Sequence, residues 1–161
     1  MEARSHYTKV TDDLVALLSD IVGYKNVLTG DERENYSRDE TYKSKPVLPE
    51  VVVKPGDAVS VAKILKLASE RNIPVTPRGG GTGLSGGAVP IYGGIVLSLE
   101  RMNKILEIDE DNFVATVEPG VTLADLYQAV EECGLYYPLY PGEKSATLGG
   151  NIATNAGGMR A

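Results

Sequence analysis

The apolar positions of this chain change period along its length, and the changes divide it into elements. Between Asp12 and Val22, the residues Leu14, Leu17, Leu18 and Ile21 recur at three- and four-residue spacing. Thr11 stands ready to cap the start and Gly23 to stop the end, so this stretch is predicted to be a helix. A polar, tyrosine-containing segment without a period follows, to about Lys45. Strand signals return at 50–54, and Asp57 caps a second helix from 58 to about 71. Its polar positions Ser60, Lys63, Lys66 and Glu70 leave Val61, Ala62, Ile64, Leu65 and Ala68 to face a sheet. Strands are predicted at 73–76, 95–99, 105–108 and 113–117, the last two joined by the turn Asp109–Asn112. Thr122 with Asp125 forms an approximate capping box for a helix to about Cys133, which Gly134 ends. After an N-terminal helix the order is β-α-β-β-β-β-α, which predicts an α+β fold with a mixed sheet covered by helices.

The segments between these elements carry the chemistry. Thirteen of the 18 glycines fall in two stretches, residues 79–94 and 142–158. Glycine is costly to order and packs nothing, so clustering it brings bare backbone against something. Successive unhindered N–H groups form an anion-binding concavity, and a phosphate-bearing cofactor is the expected occupant. Arg78 is the one cation of the first stretch, which leaves amide dipoles to supply most of the counter-charge. A flexible linker is disfavoured, because the apolar strands IPVTP and GIVLSLE flank the loop.

Gly81-Thr-Gly83-Leu-Ser-Gly86 satisfies the dinucleotide fingerprint G-x-G-x-x-G literally. The fingerprint needs its third glycine to open a crossover helix of a dozen or so residues. Only Gly87 to Gly94 stand before the next strand, and they include Pro90 and further glycines, so the match is a coincidence of glycine density. No Gly-Lys-Ser/Thr follows for a Walker loop.

Six short motifs stand in a fixed order: Tyr36-Ser-Arg-Asp39, Pro49-Glu-Val-Val-Val-Lys-Pro55, Arg78-Gly-Gly-Gly-Thr-Gly-Leu-Ser-Gly-Gly87, Leu99-Glu-Arg-Met-Asn103, Val117-Glu-Pro-Gly120 and Gly149-Gly-Asn-Ile-Ala-Thr-Asn-Ala-Gly-Gly158. In this they resemble the FAD-binding domain of the vanillyl-alcohol oxidase and p-cresol methylhydroxylase superfamily. The resemblance is closest to the branch of glycolate oxidase large subunits and D-lactate or D-2-hydroxyglutarate dehydrogenases. It implies the first subdomain of such a domain over 46–161, with 1–45 as a helix and an extended lead-in.

The resemblance also assigns roles. Pro77, Arg78, Gly79, Gly80, Gly81, Thr82, Gly83, Leu84 and Ser85 would wrap the FAD pyrophosphate through backbone amides, with the Thr82 and Ser85 hydroxyls as further donors. Pro141, Gly142, Thr147, Gly149, Gly150, Asn151, Thr154, Asn155, Gly157 and Gly158 would line the ribityl, isoalloxazine and adenine side. Superfamily members that attach flavin covalently often place a histidine where this loop has Thr82, so the resemblance implies noncovalent FAD. Tyr136, Tyr137 and Tyr140, with Pro138 and Pro141, read either as an ordinary extended loop or as an apolar wall beside a flat ring.

Family members continue well past the last motif, into a second FAD subdomain and a substrate domain. The chain is therefore expected to be an N-terminal fragment, to hold FAD weakly or not at all by itself, and to be inactive alone. No catalytic residue and no metal set can be assembled from it. As part of an intact protein it would serve oxidation of a small 2-hydroxy acid by hydride transfer to flavin. Two alternatives stay open: a phosphate-ligand or partner-binding module without redox activity, and another flavoenzyme of the superfamily. Association with other subunits or with itself is compatible with either.

Composition removes some classes. A net charge of −6 offers no basic stripe for nucleic acid. No apolar run is long enough to span a membrane, and the first residues lack a signal-peptide pattern. The lone Cys133 makes no internal disulfide, which suits a cytoplasmic setting, or one peripheral to a membrane in an intact complex. Cys133 is expected to be buried among Leu126, Ala129 and Val130, and His6 to be solvated.

Overall fold

The computed structural model describes residues 6–43 and 45–158. Helix α1 (Asp12–Val22) leads through a 3-10 turn at Tyr24–Asn26 to the short strand β1 (Val27–Leu28), and a second 3-10 segment covers Asp31–Tyr36. The chain then forms β2 (Val51–Val53), α2 (Ala58–Glu70), β3 (Val75–Arg78) and β4 (Ile95–Ser98). These strands make one sheet of order β1-β2-β4-β3, in which β1 runs antiparallel to β2 and the other pairs are parallel. The mixed sheet with helices is the α+β arrangement that the apolar pattern predicts.

The local causes are visible. Val51, Val52 and Val53 are all inaccessible, as expected of a strand with both neighbours paired and both faces covered. Asp57 caps α2 by accepting from the Ser60 amide at 2.8 Å. The buried faces of α1 (Leu14, Leu18) and α2 (Ile64, Ala68) meet Val51, Val53, Ile95 and Leu97 in one core. A second core lies under α3 (Leu123–Glu132), where Leu123, Leu126 and Val130 pack with Val121, Ala146 and Leu148. The antiparallel hairpin β5 (Ile105–Asp109) and β6 (Val114–Val117) leans on this core through Ile105, Ile108 and Val117. An apolar groove of about 530 Å³ runs between hairpin and α3, lined among others by Phe113, Leu135, Tyr136 and Ile152.

Several local expectations shift. Strand β3 starts at Val75 instead of residue 73, because Asn72 takes a left-handed conformation (φ 53°) and the Ile73 amide turns back to the Ala68 carbonyl, completing the end of α2. Phe113 likewise has φ 56°, so β6 begins one residue later. Thr11 occupies the cap position of α1 but its hydroxyl donates to the Asp13 carboxylate, not to the helix amides. Leu17 and Leu65 lie on exposed faces, and Cys133 is half-buried. The predicted hairpin forms its own two-stranded sheet. The glycine stretch after Thr147, read from sequence as a loop, folds into the short helix α4 (Leu148–Ala153).

Candidate cofactor site

The glycine loop leaves the carboxyl end of β3, the end of an open parallel sheet where ligands bind. Its backbone donors divide into two groups. Gly86 N–H donates to the Thr41 hydroxyl at 2.6 Å, and Ala88 N–H points at the Asp39 carboxylate at 3.5 Å. From Gly79 to Ser85, by contrast, no backbone N–H finds a protein acceptor among the described residues. Seven consecutive free donors on a half-open loop are what an anion-binding concavity requires.

The glycines of this loop are there for different reasons. A Cβ at Gly80 would stand 2.8 Å from the Ser145 carbonyl, and one at Gly79 would strike the Thr147 side chain. The first stretch is thereby pressed against the entrance of α4. Gly81 has φ +74°, and a Cβ there would collide with the Arg78 guanidinium. Gly83 differs: its φ is ordinary and its nearest neighbour would be Asp39 Oδ2 at 3.8 Å. Nothing among the described residues demands glycine at this position, which points to an outside occupant.

Arg78 is almost fully buried, and its side chain is spent inside the protein. Its guanidinium donates to the Arg38 carbonyl at 2.8 Å and the Asn35 carbonyl at 3.2 Å, and it lies 5.5 Å from the centre of the Tyr36 ring. Burial pulls its pKa below the ordinary arginine value, against the opposing pull of Tyr36, Asp39 and Glu100. The loop's counter-charge is accordingly left to the amides.

A polar cluster sits below the loop, at the ends of β2 and β4. Glu100 accepts from the Tyr36 phenol at 3.0 Å and the Ser98 hydroxyl at 2.9 Å, and pairs with Lys54 at 2.7 Å. Burial by itself would raise the Glu100 carboxyl, but Lys54, Ser98 and Tyr36 outweigh it and hold it below the usual carboxylate range. Burial raises the Tyr36 phenol. For Lys54 burial pulls downward, yet Glu100 and Tyr36 leave the ammonium above its ordinary value. Burial also works against ionised Asp39, where hydrogen bonds from Thr41 and the Ala88 amide prevail and lower it.

The second stretch is built onto this frame by short-range necessity. The Gly120 amide donates to the Met102 carbonyl at 2.7 Å and the Gly149 amide to the Pro119 carbonyl at 2.9 Å. A Cβ at Gly149 would stand 2.7 Å from Pro119 Cβ, so the motifs 99–103, 117–120 and 147–150 interlock only with glycine here. Thr147, buried, caps α4 by accepting from the Gly150 amide at 3.4 Å, and Thr154 donates to the Gly150 carbonyl. Asn151 is 7% exposed, and its Nδ2 has no hydrogen-bond partner among the described residues. Gly158 lies against Tyr140 and Pro141, which brings the tyrosine loop to the end of the stretch. Tyr127 stacks on Tyr140 and donates to the Leu139 carbonyl at 2.6 Å. Pro77 is paired with Leu97 within the sheet, and Leu84 is largely exposed at the loop tip.

The sequence-derived residues of the two stretches are therefore brought side by side at Gly79–Thr147 and Gly80–Ser145. What sequence reasoning missed is the support: Asp39, Thr41, Tyr36, Lys54 and Glu100. The motifs that contain four of them are visible in the chain, but no local signal assigns them to the loop.

An open parallel unit whose glycine loop offers unpaired amides defines a binding domain for a phosphate-bearing cofactor. Residues 49–161 match the FAD binding domain family, and the chain belongs to it, within the vanillyl-alcohol oxidase and p-cresol methylhydroxylase superfamily. FAD is thus the cofactor, and the unpaired amides of Gly79–Ser85 and the orphaned Asn151 amide fit a group rich in phosphate and carbonyl acceptors. The chain is 51% identical over 156 residues to a D-lactate dehydrogenase of Anaerostipes hadrus, covering 96% of this chain and 33% of that protein. It is 43% identical over 155 residues to glycolate oxidase subunit GlcD of Bacillus subtilis, covering 94% and 32%. Among solved structures, p-cresol methylhydroxylase with bound substrate superimposes with a TM-score of 0.76 at 28% identity, over 89% of this chain and 30% of that one. The chain spans about a third of the length of these relatives. No helix among the described residues is long and apolar enough to cross a membrane.

Proposed function

We propose that this chain is the pyrophosphate-gripping part of a flavoprotein that oxidises a small 2-hydroxy acid of the glycolate or D-lactate type. The observation that carries the reading is the run of seven amides from Gly79 to Ser85, unpaired among the described residues and set against Thr147, which caps the helix that holds the buried Asn151 with its unpartnered Nδ2. The names of the similar D-lactate dehydrogenase and glycolate oxidase subunit support the substrate class.

When bound, the flavin supplies a two-electron acceptor for the hydride of the substrate α-carbon. This chain's residues bind and orient. The amides of Gly79, Gly80, Gly81, Thr82, Gly83, Leu84 and Ser85 receive phosphate oxygens, with the Thr82 and Ser85 hydroxyls as added donors. Thr147, Gly149, Gly150 and Asn151 face the same ligand from α4. Thr154, Asn155, Gly157 and Gly158, with Pro141 and Gly142, close its other side. Because Thr82 stands where an attachment histidine would, FAD is held without a covalent bond.

The test is a titration of the complete polypeptide, stripped of cofactor, with FAD, followed by anaerobic addition of D-lactate or glycolate. Stoichiometric binding, bleaching of the flavin band by one of these acids and full release of flavin on acid precipitation are expected. Failure to bind FAD sinks the cofactor assignment; binding without bleaching by any 2-hydroxy acid sinks the substrate class.

A further inference from the structure

Asn35 to Thr41 run beneath the glycine loop and are tied to it by five hydrogen bonds. Arg78 reaches the carbonyls of Asn35 and Arg38, the Glu40 amide donates to the Gly83 carbonyl at 3.0 Å, Thr41 takes the Gly86 amide, and Asp39 faces the Ala88 amide. Each of these bonds uses a group that an unconstrained loop would turn to solvent or to its own amides. Among the described residues, the backbone donors of Gly79–Ser85 have no protein acceptor. The single cation of the loop is itself buried, being 9% exposed, with the Tyr36 ring on one side and Gly81 against its guanidinium.

We infer that Arg78 is a positioning residue: with the strap 35–41 it locks the glycine loop in its phosphate-accepting shape, and its side chain does not itself touch phosphate. This rests on the FAD reading above. A guanidinium is the suitable tie because its fixed fork can bridge two carbonyls at once, whereas an ammonium is a point donor on a flexible stem. Gly81 completes the lock, since any side chain there would displace the fork.

The test uses the complete polypeptide stripped of flavin, with FAD affinity read by fluorescence quenching and stability by thermal melting. The wild type is titrated first; if it binds no FAD, the cofactor reading itself fails and the lock with it. Given binding, Arg78→Lys and Arg78→Met are each expected to raise the Kd for FAD by about tenfold or more, and to similar extents. Ile64→Val, a core substitution outside the strap and loop that lowers the melting temperature, should leave the Kd unchanged. Thr41→Val, which deletes an acceptor of the strap and no charge, should weaken FAD in the same direction. A direct phosphate contact predicts a different pattern: Arg78→Lys retains most of the affinity, and the loss in Arg78→Met shrinks as salt rises. That pattern, or unchanged affinity in folded Arg78→Lys and Thr41→Val proteins, overturns the inference. Should Arg78→Met fail to fold, Arg78→Lys and Thr41→Val decide the matter.

Discussion

At the scale of single residues, the glycines of the cofactor loop separate into those the fold needs and those it does not. Gly81 is held by a positive φ and by the Arg78 guanidinium, so Gly81→Val is expected to lower the melting temperature as well as flavin binding. Gly83 has neither constraint, its nearest neighbour being Asp39 Oδ2 at 3.8 Å. Gly83→Val should therefore melt near the wild-type temperature and yet lose FAD; a folded Gly83→Val protein with full flavin content would remove this loop from the binding site. Asn151 gives the complementary case. A buried amide without a partner costs about 1–3 kcal/mol in the absence of ligand. Asn151→Leu is expected to raise the melting temperature of the flavin-free protein while weakening FAD, and a fall in that temperature would mean that the amide is already satisfied.

At the scale of elements, helix starts were legible and the loop's supports were not. Thr122 makes the first half of the capping box that its spacing to Asp125 implies, accepting the Asp125 amide at 3.1 Å, while the Asp125 carboxylate takes the Thr122 hydroxyl at 2.7 Å and not its backbone amide. Thr122→Ala should destabilise the protein by about 1 kcal/mol, measured by urea unfolding with an unchanged m-value. A loss well below that would show that the bridge between residues 122 and 147 holds α3 in place without its cap. Thr11 has Leu14 where a capping box needs an acid, and its hydroxyl donates to Asp13 while no helix amide reaches its oxygen. Residues 24–45 read as aperiodic polar chain, yet they supply β1, the 3-10 segment and the strap. Tyr36 and Arg38 within this segment are held by partners 64 and 40 residues away, Glu100 and Arg78, which no local period can announce.

At the scale of the whole molecule, the polar cluster beneath the loop sets a pH window. Glu100 and Asp39 have folded-state values lowered against the unfolded chain, so their contribution is complete above the unfolded carboxylate values, about 4, and is lost as pH falls through the folded ones. Lys54 and Tyr36 have raised values, so their contribution is complete below about 10 and is lost as pH rises through the folded ones. The melting temperature should form a plateau from about pH 5 to about pH 10 and decline on both sides. Glu100→Gln should lower the plateau and flatten the acid limb; an acid limb identical to wild type would place the titrating group elsewhere.

By itself the sequence determined three of the helices, the valine-rich central strand and the two glycine stretches, and its motifs marked the resemblance to the FAD-binding family. The elements and glycine stretches are properties of period, capping chemistry and backbone freedom, written within a few neighbouring residues, whereas the resemblance needs six motifs in order along the chain. Tertiary structure alone decided that Arg78 faces inward to a strap instead of outward to phosphate, that Gly81 serves the fold while Gly83 is left free, and that the residues after Thr147 coil into a helix pinned on Pro119. It also decided that Tyr36, Lys54 and Glu100 stand together under the loop. Each of those outcomes depends on which distant backbone occupies the space beside a residue, and that is settled only when β2, β3 and β4 align in parallel and bring their carboxyl ends to one edge.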